Sequence, residues 1–166
     1  MVTDPTRKVP RKTKRRRKRP EEFVDYIVEI ESWDFRYWLA LNTVRNQIDP
    51  YHEHRHVEMK GRLLRPLGLQ TDRVEVSLFL SMSLMEERRK EFKPIAVGAI
   101  ESYLDRLDAG IGIPSDALEP ILEVLIAGRP NFLVMRGSKL RERSARLHSY
   151  SLGTKLEEDD LAQLDV

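Results

Sequence analysis

Four residues in one short stretch have the types and spacing to hold a metal. They are His52, His54, His56 and Glu58, within YHEHRHVEMKG. On a strand, alternate side chains point the same way, so all four would share one face. Neutral imidazoles with a carboxylate suit Zn²⁺ or another borderline divalent metal, which would make the chain a metal-dependent β-barrel enzyme. The same parity continues into Lys60 and Arg62, while Val57, Met59 and Leu63 take the other side. A face with three histidines, a glutamate and two cations is expected to be the solvated one. There the histidines are ordinary surface groups or form a pH-sensitive contact.

The spacing His52-x-His54-xxx-Glu58 resembles part of the first metal motif of the cupin family, a β-barrel superfamily. The glycines that bracket that motif are missing at their positions. The second motif's histidine has no counterpart either, since Gly61, Pro66 and Gly68 lead only to Gln70 and Thr71. The resemblance is confined to these few residues and is not adopted.

The second chemistry is cationic. Lys14, Arg15, Arg16, Arg17, Lys18 and Arg19 follow one another without interruption. Such a run neutralises phosphates and releases their counterions, giving salt-sensitive binding without sequence preference. A solubilising tail or a localisation signal has the same composition. Arg136, Lys139, Arg141, Arg143 and Arg146 crowd the last hairpin, with only Glu142 opposed. A twisted hairpin so charged can lie along a phosphate backbone. It can equally protect a sheet edge by charge.

Nucleophilic catalysis has little support. No serine sits in a Gly-x-Ser-x-Gly elbow, and the neighbours His148 and Ser149 would point to opposite faces of a strand. Glu86 and Glu87 lie in a charged stretch with no apolar setting to raise a carboxyl pKa. Gly110-Ile111-Gly112 belongs to no longer phosphate-binding loop.

The 166 residues allow one domain with a real core. The net charge of +2 hides a division along the chain. Residues 1–20 hold ten Lys/Arg against one Asp, and residues 157–166 hold five Asp/Glu and no cation. Residues 1–20 cannot repay the entropy of ordering and are expected to be a disordered basic tail. Residues 21–156 then form a single β-rich domain, and residues 157–166 an acidic, frayed end. The chain has no cysteine, which excludes disulfides, thiolate chemistry and Cys-based zinc sites. No apolar run approaches the roughly 18 residues of a membrane span. No apolar segment follows the basic tail to make a signal peptide. A cytoplasmic protein is expected, or a nuclear one in a eukaryote.

The body must position these groups on strands. Val24, Tyr26, Val28 and Ile30 alternate, and so do Trp33, Phe35, Tyr37, Leu39 and Leu41, but the parity changes between the two sets. A turn or bulge near Glu31 and Ser32 accounts for this. The SWDFRYW block holds four of the chain's twelve aromatics. Aromatics interleaved with Arg36 could stack bases, but alternating aromatics on a strand are expected to be core. Val74, Val76, Leu78 and Leu80 make the cleanest strand, and an antiparallel hairpin joins it to the histidine run. Later strands are expected near residues 95–100, 111–113, 132–136 and 145–152. Gly98 is placed at a bulge or crossing, residues 104–108 in a polar turn, and Gly137-Ser138 at a turn.

One helix breaks the pattern. In residues 114–130, Leu118, Ile121, Leu122, Leu125 and Ile126 fall on one face. Ser115 or Asp116 can cap its start, and Gly128 supplies a left-handed stop. The pattern predicts a mainly β fold: an antiparallel sandwich or partly open barrel, with a short helix over about 115–127 covering an end or opening.

The function expected first is an interaction or adaptor module with a polyanion-binding or targeting tail and no cofactor. It would meet a protein partner or a second copy of itself. The alternatives are a nucleic-acid-binding protein using the tail and the last hairpin, and the metal enzyme above.

Overall fold

The computed structural model describes residues 22–41, 51–84, 95–157 and 160. The basic run at 14–19 and the polar connection at 42–50 lie outside the described residues. So do most of the charged segment at 81–93 and nearly all of the acidic end.

Seven strands form one sheet that closes on itself. They are β1 (Phe23–Leu41), β2 (Tyr51–Arg65), β3 (Arg73–Leu80), β4 (Gly98–Ser102), β5 (Leu107–Ile113), β6 (Phe132–Ser138) and β7 (Ser144–Gly153). Around the barrel their order is β1-β2-β3-β5-β4-β7-β6, and β6 pairs with β1 to complete the ring. Among the described residues the fold is mainly β with a short helix between β5 and β6, as the alternation predicts, and the barrel is fully closed. Every junction is antiparallel except β3 with β5, which run parallel. Strand β4 takes the place beyond β5, and the β4–β5 hairpin folds back so that β5 meets β3.

Strand alternation fills the barrel. Tyr26 and Val28 of β1, Val57 and Met59 of β2, and Val74, Val76 and Leu78 of β3 point inward. They meet Ile100 of β4, Leu107, Ala109, Ile111 and Ile113 of β5, Leu133 and Met135 of β6, and Ala145 and Leu147 of β7. Leu107 and Asp108 thus belong to β5 and not to a polar turn, and β4 begins later than the apolar run at residue 95 suggests. Gly98 marks a close crossing: a Cβ there would collide with the Gly110 carbonyl of β5. Inside the barrel, the Tyr26 hydroxyl donates to the Ser138 carbonyl at 2.8 Å and so ties β1 to β6. Burial pushes the Tyr26 pKa up.

The helix α1 (Leu118–Ile126) follows a 3-10 turn over Ser115–Ala117. It connects β5 to β6, which stand three places apart in the ring of seven, so it must cross the mouth of the barrel. Leu118 and Leu125 drop into the core, with Ile121 and Leu122 packed against it. Ile126 stays exposed, because α1 meets strands only beneath it. No side chain caps α1, so neither Ser115 nor Asp116 plays that part. Pro120 falls in the first turn, where its missing N–H has no intrahelical acceptor. Gly128 has φ +64° and donates its N–H to Leu125, ending the helix in the left-handed conformation as expected.

Candidate functional site

Strand β1 is long enough, at 19 residues, to place two different chemistries at opposite ends of the molecule. At about 3.3 Å per residue its ends lie roughly 60 Å apart along the strand.

At the N-terminal end β1 pairs with β6, and Phe23 lies opposite Ser138. The Lys139 N–H donates to the Glu22 carbonyl at 2.9 Å, and the Lys139 ammonium reaches the Glu22 carboxylate at 3.1 Å. The β6–β7 hairpin is therefore stitched to the point where the N-terminal segment enters the barrel. Its turn is not at Gly137-Ser138. Arg141 and Ser144 exchange both backbone bonds at 2.9 Å, which leaves Glu142 and Arg143 as a two-residue loop. Both have positive φ, +49° and +69°, the geometry of a type I′ hairpin turn. That turn ordinarily carries Asn or Gly, so its signature is missing from the sequence.

The five cations of this hairpin divide in two. Arg136 lies 3.9 Å from Asp25, and Lys139 is held by Glu22. Among the described residues, no carboxylate pairs with the side chains of Arg141, Arg143 or Arg146. A shallow depression of about 200 Å³ runs between Glu22, Lys139, Arg141 and Arg146. It is open, and Lys139, Arg141 and Arg146 outnumber Glu22 along it, a net positive lining that suits phosphate oxygens.

At the other end β1 loses its β6 neighbour. The pairing with β6 stops at Glu29, and the last bond on that side is from the Ile30 N–H to the Asn131 carbonyl at 2.8 Å. A register shift between Ile30 and Ser32 places the expected bulge at Glu31. From there β1 runs on, paired among the described residues only with β2, as far as Leu41 opposite Tyr51. Strand β3 accompanies β2 only from His56 onward, so the pair ends as a two-stranded ribbon. Cross-strand pairing sorts the ribbon's side chains. Trp33, Phe35, Tyr37, Leu39 and Leu41 share a face with Met59, Val57, Arg55, Glu53 and Tyr51.

That face continues the barrel lining but has no sheet opposite it. Trp33, Phe35, Tyr37, Leu39 and Leu41 are all exposed, Tyr37 by 55%. The SWDFRYW block is thus not core, contrary to the expectation from its alternation. Phe35, Tyr37 and Arg55 face Leu118, Leu122 and Ile126 of α1 across a groove of about 540 Å³. The Arg55 guanidinium lies over the Tyr37 ring at 5.9 Å.

The histidines occupy the opposite face of the ribbon, together with Asp34, Arg36, Trp38 and Ala40. This is the outer, solvated side, as their parity with Lys60 and Arg62 predicts. The His54 and His56 rings stand 4.8 Å apart, and His52 packs on Trp38 at 5.4 Å. His56 Nε2 shares a hydrogen bond with Glu58 at 3.1 Å, and Arg36 reaches the other Glu58 oxygen at 2.9 Å. The carboxylate is thus engaged by a guanidinium as well as by a histidine. Among the described residues no group of three or more His, Cys, Asp or Glu is arranged to hold a metal. No helix among them is long and apolar enough to cross a membrane.

The tail cations Lys14, Arg15, Arg16, Arg17, Lys18 and Arg19 are outside the described residues. The first described residue, Glu22, is held by Lys139 of the β6–β7 hairpin. In the sequence Glu22 and Lys139 stand over a hundred residues apart; the β1–β6 pairing brings them together. The ribbon's exposed aromatic face is the feature that the alternation concealed, and the parity change at Glu31 was its only trace. The chain matches no protein-family model, no curated protein and no solved structure.

Proposed function

We propose that the protein is a binding module that holds nucleic acid at its basic end. One observation carries the reading: Arg141 and Arg146, without carboxylate partners among the described residues, line one depression together with Lys139 and Glu22. The hairpin supplies a fixed cationic surface, and the tail adds attraction along the phosphate backbone. Phosphate contacts of this kind bring affinity and orientation but little sequence preference.

Filter binding of a nucleic-acid duplex across a salt series tests this. The logarithm of the binding constant should fall linearly with the logarithm of salt concentration. Arg141→Ala, Arg143→Ala and Arg146→Ala together should flatten that line by roughly 0.9 for each phosphate no longer neutralised. Deleting residues 1–20 should flatten it further. A salt-independent constant, or one unchanged by both alterations, would overturn the reading.

A second reading, a protein-interaction module, is favoured by the exposed aromatic face of the ribbon. Contiguous exposed apolar surface of this kind marks docking sites more often than chance.

A further inference from the structure

The free edge of β1 is self-complementary, and from this we infer that two copies of the chain pair along it, antiparallel and centred on Phe35. Strand edges present unpaired N–H and C=O groups and invite another strand. Among the described residues, β1 from Ser32 to Leu41 is hydrogen-bonded only to β2, so its outer side is such an edge. Proteins usually blunt long edges with proline, lysine or a bulge. Residues 33–41 contain neither proline nor lysine, and the bulge lies before Ser32, at the ribbon's base.

The only charges on this edge are Asp34 and Arg36, of opposite sign and two residues apart. They share one face of the strand. In an antiparallel pair centred on Phe35, residue 34 of each copy lies opposite residue 36 of the other. Both junctions are then Asp against Arg, with Cβ atoms about 5 Å apart. On the other face, Trp33 meets Tyr37 twice and Phe35 meets its own copy. The result is a continuous strip of six aromatic rings. A two-fold axis requires this reciprocity, in which residue i meets j and j meets i.

Neighbouring registers fail on charge. Centring on Arg36 sets two guanidinium groups opposite each other, and centring on Asp34 sets two carboxylates. Centring on Tyr37 leaves Asp34 against Ala40 and Arg36 against Trp38, with neither charge matched. Only a second copy of this strand satisfies the pattern in both directions, and so a second copy is the occupant.

The test uses the full chain freed of nucleic acid, with mass measured by light scattering or sedimentation. The wild type should be a dimer. Asp34→Arg alone sets Arg against Arg at both junctions, and Arg36→Asp alone sets Asp against Asp. Each should weaken association at least tenfold and give monomers. Mixing the two variants one to one should restore a dimer, because each then supplies the charge the other lacks. The double variant D34R/R36D should dimerise by itself. The mixture also controls for folding, since misfolded chains would not rescue each other.

Trp33 and Trp38 are the only tryptophans, so their emission reports on the ribbon alone and should shift to the blue on dimerisation. A wild type that stays monomeric into the upper micromolar range would overturn the inference. So would charge reversals that leave the dimer intact, or a mixture that stays monomeric. A monomer whose tryptophan emission is quenched by a single-stranded oligonucleotide would instead make the ribbon a base-stacking platform.

Discussion

The two ends of β1 carry the same kind of pattern and meet opposite fates. Near its start Tyr26 is 0% exposed; near its finish Tyr37 is 55% exposed. Both belong to alternating apolar sets, and both stand on a strand paired with β2 or β6. The difference lies in what faces them. Tyr26 lies in the core of a closed barrel, whereas Tyr37 projects beyond the ring and faces α1 across a groove. Alternation along a strand encodes which side is apolar. Burial requires a second surface, and the strand itself does not carry that information.

The sharpest way to break this comparison is to truncate one leucine from each end. Leu78→Ala, in the filled barrel, should cost about 2–5 kcal/mol in chemical denaturation. Leu39→Ala, on the ribbon, should cost no more than about 0.5 kcal/mol in the monomer. Equal costs would mean that the ribbon is packed after all. Varying protein concentration sharpens the test. If the ribbon pairs with a second copy, only the Leu39→Ala cost should grow with concentration.

The helix follows the same logic. Leu125→Ala should approach the cost of Leu78→Ala, because Leu125 reaches the core. Ile126→Ala should cost next to nothing, because that side chain is exposed although it belongs to the same apolar stripe.

A smaller effect separates Tyr26 from the ribbon tyrosines. Tyr26→Phe removes the bond to the Ser138 carbonyl and should cost about 1 kcal/mol near neutral pH. Tyr26 has its pKa raised above the ordinary 10.0 by burial, so the folded chain keeps its proton where the unfolded chain loses it. Its contribution is complete below pH 10 and is lost as the pH rises beyond that value. The alkaline decline in stability should therefore be shallower in Tyr26→Phe than in wild type, as read from denaturant midpoints above pH 10. Tyr37→Phe should change the stability of the monomer by no more than about 0.5 kcal/mol.

The smallest expected effect is at the basic end. Glu142 holds φ +49° in the two-residue turn, a conformation that asparagine tolerates better. Glu142→Asn should stabilise the protein by up to about 1 kcal/mol. A loss instead would show that the Glu142 side chain contributes more than its strained backbone costs.

Much of the architecture was legible in the residues. The parity change between Ile30 and Trp33 located the bulge at Glu31, and the run from Val74 to Leu80 marked β3. Gly128 marked the end of α1, and Gly98 the close crossing with β5. The histidine strand's parity with Lys60 and Arg62 placed it on the outer face. These are local signals, because alternation, glycine conformation and helical spacing depend on neighbours within a few residues.

Other features had no local signal. The turn at Glu142 and Arg143 lacks the glycine or asparagine that usually marks one. The parallel junction of β3 and β5 arises from how a later hairpin folds back, which no stretch of β3 records.

By itself the sequence determined most of the strand segments though not all their bounds, which of their sides is apolar and where the charges sit along the chain. Tertiary structure alone decided that the sheet closes, that β6 stops at Glu29 and leaves an aromatic ribbon uncovered, and that Lys139, Arg141 and Arg146 stand beside Glu22. The physical reason is the same in each case. A side chain's face is set by its own backbone, but its burial and its company are set by segments up to a hundred residues away.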